Sequence, residues 1–197
     1  KLDDYMLDEI ARIQAGWLAE GRKLVPISVN VSRAHFTRED LAEHICAIVD
    51  KYQVPHSVIE LELTESAFFD DKKVLLNTVQ QLRNAGFSVS MDDFGAGYSS
   101  LNSLKELQID VLKIDRSFIK DLSITKQDDA NFIVHMILQL SKHLKIDVIA
   151  EGVETLEQLE VLQNYNCNTV QGYLFSKPVP ANQFAELLKK QRIEPIR

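Results

Sequence analysis

Six short apolar runs in this chain end in residues that can do chemistry: Asn30, Glu62, Asp92 with Asp93, Lys113, Glu151 and Gln171. The runs are Val25 to Val31, Val58 to Leu63, Phe87 to Met91, Val111 to Ile114, Val148 to Ala150 and Thr169 to Phe175. Four carboxylates brought to one place cannot all stay ionised unless cations stand between them. Oxygen donors of this kind suit Mg²⁺ or Mn²⁺, the requirement of a metal-dependent hydrolase. Asn30 adds a neutral amide oxygen, and Lys113 adds a positive charge able to hold a water or a phosphate oxygen. Asp92 and Asp93 are adjacent and face opposite ways in a regular strand. They can share a site only where the strand ends and the chain turns, which Gly95 and Gly97 permit.

Taken singly, each of these residues has an ordinary reading. An Asp-Asp pair before a glycine makes a turn or a helix cap, a Glu or Lys at a strand end is solvated, and Gln171-Gly172 is a turn. Their recurrence at every strand end is what points to a common site. The five histidines, His35, His44, His56, His135 and His143, are scattered without metal-ligand spacing and read as surface or structural residues. Cys46 and Cys167 lack CxxC spacing and read as buried, reduced thiols. There is no nucleophile elbow, Walker loop or dinucleotide fingerprint. Gly95-Ala96-Gly97 follows a strand but lacks the third glycine, and reads as an active-site loop.

The elements that must position these residues are legible from apolar spacing. Stripes at i, i+3, i+4 and i+7 predict helices on Leu7, Ile10, Ile13 and Trp17; on Leu41, Ile45, Ile48 and Val49; and on Leu75, Leu76, Val79 and Leu82. Further stripes fall on Ile133, Ile137, Leu140 and Leu144; on Leu156, Leu159 and Leu162; and on Phe184, Leu187 and Leu188. Thr155 and Gln158 have capping-box spacing. The order is helix-strand six times, closed by one helix. Runs such as Val111-Leu112-Lys113-Ile114 imply strands buried on both faces, hence a parallel sheet covered by helices. Polar residues at the C-terminal ends of all the strands favour a TIM-like (β/α) barrel over an open doubly wound sheet. About six of the eight strands of such a barrel are present.

The 197 residues, 45% of them hydrophobic, are read as one domain, 1–197. A net charge of −7 and a pI near 5.3 exclude duplex nucleic acid as a partner held by a basic surface. No apolar stretch approaches the roughly 20 residues of a membrane span, and no signal peptide is seen, so a cytoplasmic location is expected. Lys1 is not an initiator methionine and Leu2 begins inside an amphipathic pattern. The chain is therefore expected to be an N-terminally truncated part of a larger protein, which could be membrane-anchored upstream.

At these residues the sequence closely resembles the EAL domain family of bacterial cyclic di-GMP phosphodiesterases. The resemblance rests on Asn30-Val31-Ser32, Glu62-Leu63-Thr64-Glu65, Asp92-Asp93-Phe94-Gly95-Ala96-Gly97-Tyr98-Ser99-Ser100-Leu101, Lys113-Ile114-Asp115, Glu151-Gly152-Val153-Glu154 and Gln171-Gly172-Tyr173. These run in the family's order and cover essentially the whole chain. The resemblance implies a TIM-like barrel that binds two divalent ions, Mg²⁺ or Mn²⁺, and cuts one phosphodiester of cyclic di-GMP to give linear pGpG. It implies that Asn30, Glu62 and Asp92 ligate one ion and that Asp92 and Asp93 serve the second. Glu151 becomes a ligand or the water-activating base, and Lys113 positions the attacking water. Glu65, with Thr64, braces the loop from Asp93 to Ser100, while Gln171 and Glu154 support the nucleotide and the residues behind the site.

The Glu-Ala-Leu tripeptide that names the family does not occur in these residues and is expected upstream of Lys1. The chain by itself is accordingly expected to hydrolyse cyclic di-GMP very slowly or not at all. A catalytically inactive cyclic di-GMP sensor and a protein-interaction domain are the competing readings. A homodimer and an upstream sensory or GGDEF-type domain are the further partners expected.

Overall fold

The computed structural model describes residues 2–37, 40–64, 72–95, 101–106, 108–124, 129–190 and 193–195. Two compact units divide it, Lys1–Leu112 and Lys113–Arg197.

The first unit opens with helix α1 (Leu2–Ala19), strand β1 (Ile27–Asn30), a 3₁₀ turn (Arg33–Thr37), α2 (Leu41–Asp50) and a second 3₁₀ turn (His56–Val58). It continues with β2 (Ile59–Thr64), α3 (Lys72–Asn84), β3 (Ser88–Phe94) and α4 (Leu101–Glu106), and reaches β4 (Val111–Ile114). Strands β1, β2 and β3 pair in parallel, with Asn30 opposite Glu62, Glu62 opposite Ser90 and Thr64 opposite Asp92. On β2, Ile59, Leu61 and Leu63 alternate with Glu60 and Glu62, and all five are buried. Both faces are thus covered, as expected, but one is apolar and the other polar. Val29 and Leu61 line one small cavity with Leu7 of α1 and with Leu41 and Ile45 of α2, which marks the apolar side as the one under the helices. Each fully buried leucine there contributes about 2 kcal/mol.

Strand boundaries differ from the sequence reading for local reasons. β1 starts at Ile27 rather than Val25, because Pro26 has no N–H to give and the Val25 carbonyl accepts from Gln14 Nε2 at 2.7 Å. Gln14 is wholly buried in the α1 stripe, which runs Leu7, Ala11, Gln14 and Trp17; Ile10 and Ile13 flank it half-buried.

The second unit holds α5 (Arg116–Ile119), α6 (Asp129–Leu144), β5 (Asp147–Glu151), α7 (Leu156–Asn164), β6 (Thr169–Gln171) and α8 (Ala181–Lys189). β5 and β6 pair in parallel, Glu151 opposite Gln171. β6 ends at Gln171, not Phe175: the Gly172 carbonyl accepts from Phe175 N–H at 3.2 Å and the chain turns. Helix α6 is rotated from its expected stripe, burying Asn131, Val134, Ile137, Leu138 and Ser141 while Ile133 is exposed. Asn131 explains this, since its amide donates to the Ser123 carbonyl at 2.7 Å and holds the preceding loop. α5 is a short helix that the apolar pattern does not announce.

Chain order is also strand order in the sheet, β1-β2-β3-β4-β5-β6, without the reversal that defines a doubly wound fold. This is the winding of a TIM-like (β/α) barrel, six of whose strands lie among the described residues.

Candidate functional site

Each unit carries its own group of chemical residues. In the first, register alone sets the geometry. Asn30, Glu62 and Ser90 form one row across β1, β2 and β3, and Asp92, two residues beyond Ser90, projects to the same face. Glu62 is 5% exposed; Asp92 is half-buried with its Oδ1 shielded from solvent. Thr64 stands opposite Asp92 at the end of β2.

Asp93 departs from strand geometry at φ +55°, followed by Gly95 at +94°. The turn thus begins on Asp93 itself, one of the few side chains that tolerates the left-handed region, before the glycines assigned that task. Its side chain is exposed. Glu65 and the stretch from Ala96 to Ser100 lie outside the described residues.

In the second unit Lys113 Nζ stands 2.7 Å from Glu151 Oε1, with the lysine side chain 6% and the glutamate 19% exposed. A lysine this deeply buried requires such a partner to remain charged. Gln171 lies beside Glu151 across the β5–β6 pair, and its side chain is exposed.

The loop after Glu151 is clamped from three sides. Val153 N–H donates to the Gln171 carbonyl at 3.1 Å, and the Val153 carbonyl accepts from Leu174 N–H at 3.0 Å. A Cβ on Gly172 would overlap the Val153 backbone, so only glycine lets the two strand ends approach. Gly152, at φ +73°, has the stem of Arg116 where its own Cβ would be, 2.5 Å from the arginine Cβ. The capping box forms as the spacing predicts, and Gln158 Oε1 also accepts from Glu154 N–H at 2.8 Å, tying that residue to α7.

Sequence reasoning passed over several contributors. Asp115 caps α5, accepting from Ser117 N–H at 2.9 Å. Burial works to raise its pKa, but hydrogen bonds from Ser117 and the Arg116 backbone outweigh that and hold it below the usual range. His35, His44 and His56 lie beside Asp3, Asp4 and Asp50 at 3.3, 3.1 and 2.9 Å. Both cysteines are free, and burial pushes each thiol up. Only the occurrence of a polar residue inside an otherwise apolar stripe could have flagged Gln14 and Asn131.

For a divalent cation the donors fit in kind: Asn30, Glu62 and Asp92 carry hard oxygen donors on one face, and Asp92 presents a shielded oxygen. Among the described residues, no three His, Cys, Asp or Glu side chains are gathered closely enough to hold an ion by themselves. Among the described residues, the Asn30 amide is the neutral oxygen on this face that could add to the carboxylates.

Fold and residues together define an α/β domain of TIM-like winding with acidic strand ends. The EAL domain model matches residues 1–178, and the chain belongs to the EAL domain family. The cyclic di-GMP phosphodiesterase NbdA of Pseudomonas aeruginosa is 35% identical over 194 residues, 98% of this chain and 24% of NbdA. The phosphodiesterase MucR of the same organism, solved with cyclic di-GMP, superposes with a TM-score of 0.84 at 38% identity, covering 93% of this chain and 73% of that one. BlrP1 of Klebsiella pneumoniae, solved with manganese and cyclic di-GMP, superposes with a TM-score of 0.78 at 26% identity, covering 89% and 44%. The chain thus spans about a quarter of the length of NbdA.

Proposed function

We propose that this domain hydrolyses cyclic di-GMP to linear pGpG with two divalent cations, Mg²⁺ or Mn²⁺. The observation that carries the reading is the buried Lys113–Glu151 pair at a strand end, within a family whose relatives are cyclic di-GMP phosphodiesterases. When bound, the cations supply charge neutralisation of the phosphodiester and of the attacking and leaving oxygens. Asn30, Glu62 and Asp92 hold one and Asp92 with Asp93 the other. Glu151 takes a water proton or ligates, and Lys113, fixed by its ion pair, orients that water. Gln171 faces the nucleotide from the end of β6, and Glu154 supports it from the α7 cap. Glu65 and Thr64 brace the loop that follows Asp93.

The domain acts in the cytoplasm as part of a longer signalling protein. None of its described helices is long and apolar enough to cross a membrane, and the relatives are about four times its length. A second reading, a module that binds cyclic di-GMP without cutting it, draws on the lack of a three-carboxylate cluster among the described residues. Chromatography of products from the intact protein with Mn²⁺ decides between them. Release of pGpG, abolished in Asp92→Asn and by chelator, supports the enzyme; tight nucleotide binding without product supports the sensor.

A further inference from the structure

The exit of β1 is held by two contacts from different elements. Val31 N–H donates to the Glu62 carbonyl at 2.9 Å, and Ser32 N–H donates to Asp3 Oδ2 in the first turn of α1 at 2.8 Å. The same Asp3 oxygen faces His35 Nε2 at 3.3 Å, in the 3₁₀ turn that follows. Asp3 and His35 line one small cavity on the helix-covered side with Leu7, Leu41 and Leu61, and Asn30 borders it from the end of β1. A four-residue strand offers few ladder bonds to fix its last side chain, so its exit contacts decide where Asn30 points.

We propose that Asp3 is a positioning residue for Asn30. Its carboxylate pins the chain two residues beyond the amide and thereby fixes the direction in which Asn30 presents its oxygen. The inference rests on the reading of Asn30 as a metal ligand. Of the other α1 carboxylates, Glu9 pairs with Arg12 on α1 itself, while Asp4 meets His44 and Asp8 meets Lys51 and Tyr52, so these two fasten α1 to α2 and its C-terminal turn. They are the internal comparison, since a residue that merely holds α1 in place would behave as they do.

The test uses Mn²⁺ as the probe in the intact protein, titrated by electron paramagnetic resonance, with melting temperature, amide exchange at Ser32, and kcat and KM for cyclic di-GMP measured alongside. Asp3→Ala is expected to weaken Mn²⁺ binding about tenfold, the usual cost of losing a residue that orients a ligand, to speed exchange at Ser32, and to lower kcat more than it raises KM. Asp3→Asn keeps an oxygen for Ser32 N–H and is expected to retain most of the affinity. Asp8→Ala is expected to lower the melting temperature without changing Mn²⁺ affinity. If Asn30→Ala weakens Mn²⁺ binding while Asp3→Ala does not, or if Asp3→Ala does no more than Asp8→Ala, the positioning role is overturned. If Asn30→Ala itself leaves Mn²⁺ affinity intact, the reading of Asn30 falls and this inference falls with it.

Discussion

Lys113 shows how far a single residue can be read. Its place at the end of a strand is visible in the sequence, but its partner is not, because Glu151 is 38 positions away and only the fold brings it to 2.7 Å. Removing one member of a buried pair leaves the other charged and unmatched, at a cost of about 3 kcal/mol. Lys113→Met is therefore expected to be destabilised by that order in urea unfolding and to lose activity. Adding Glu151→Leu should recover part of the stability and none of the activity. Gly172 makes a second residue-scale test: Gly172→Ala forces a methyl into the Val153 backbone, and the expected result is a loss of more than about 2 kcal/mol. No apolar pattern reveals that close approach; the glycine in Gln171-Gly172 looks like any turn.

Between elements, the α1–α2 junction is held by charged contacts whose pH dependence has a defined sign. Hydrogen bonds from Lys51 and Tyr52 hold Asp8 below the ordinary carboxylate value of 3.8. Burial works to raise Asp4, but the His44 hydrogen bond and nearby positive charge outweigh it and lower it as well. A carboxylate depressed on folding contributes stability above its unfolded value, and that contribution is lost as pH falls through the folded one. Acid unfolding followed by circular dichroism should thus begin at higher pH in the Asp4→Asn, Asp8→Asn double variant than in the parent. At the α7 start, Gln158→Ala removes the capping-box acceptor of Glu154 and Thr155 N–H groups, and a loss of about 1 kcal/mol is expected. Helix positions were legible because apolar spacing is local. The rotation of α6 was not, because Asn131 and Ser141 are buried by contacts that spacing alone cannot supply.

For the molecule as a whole, the six described strands and their winding were legible because each follows an apolar run with a polar residue at or near its C-terminal end. The limits of β1 and β6 were not, since they depend on Pro26, on Gln14 and on the turn at Gly172. The acidic and amide candidates of the first unit lie toward the C-terminal ends of β1, β2 and β3, and register places three of them on one face. If the intact protein binds cyclic di-GMP with Mn²⁺, nucleotide at about 100 times its Kd should raise unfolding free energy by about 2.7 kcal/mol in thermal scans, and chelator should remove most of that gain.

The alternation on β2 has a consequence for how the chain finds its fold. Ile59, Leu61 and Leu63 share one side and Glu60 and Glu62 the other, so a slip of one residue during strand pairing would turn two carboxylates toward the helix-covered side and two leucines away from it. A uniformly apolar strand would tolerate such a slip and form a misregistered product. Here the two acidic residues of β2 proofread the assembly, and replacing Glu60 and Glu62 with leucine should yield a chain that collapses readily but into more than one arrangement, visible as broadened amide resonances.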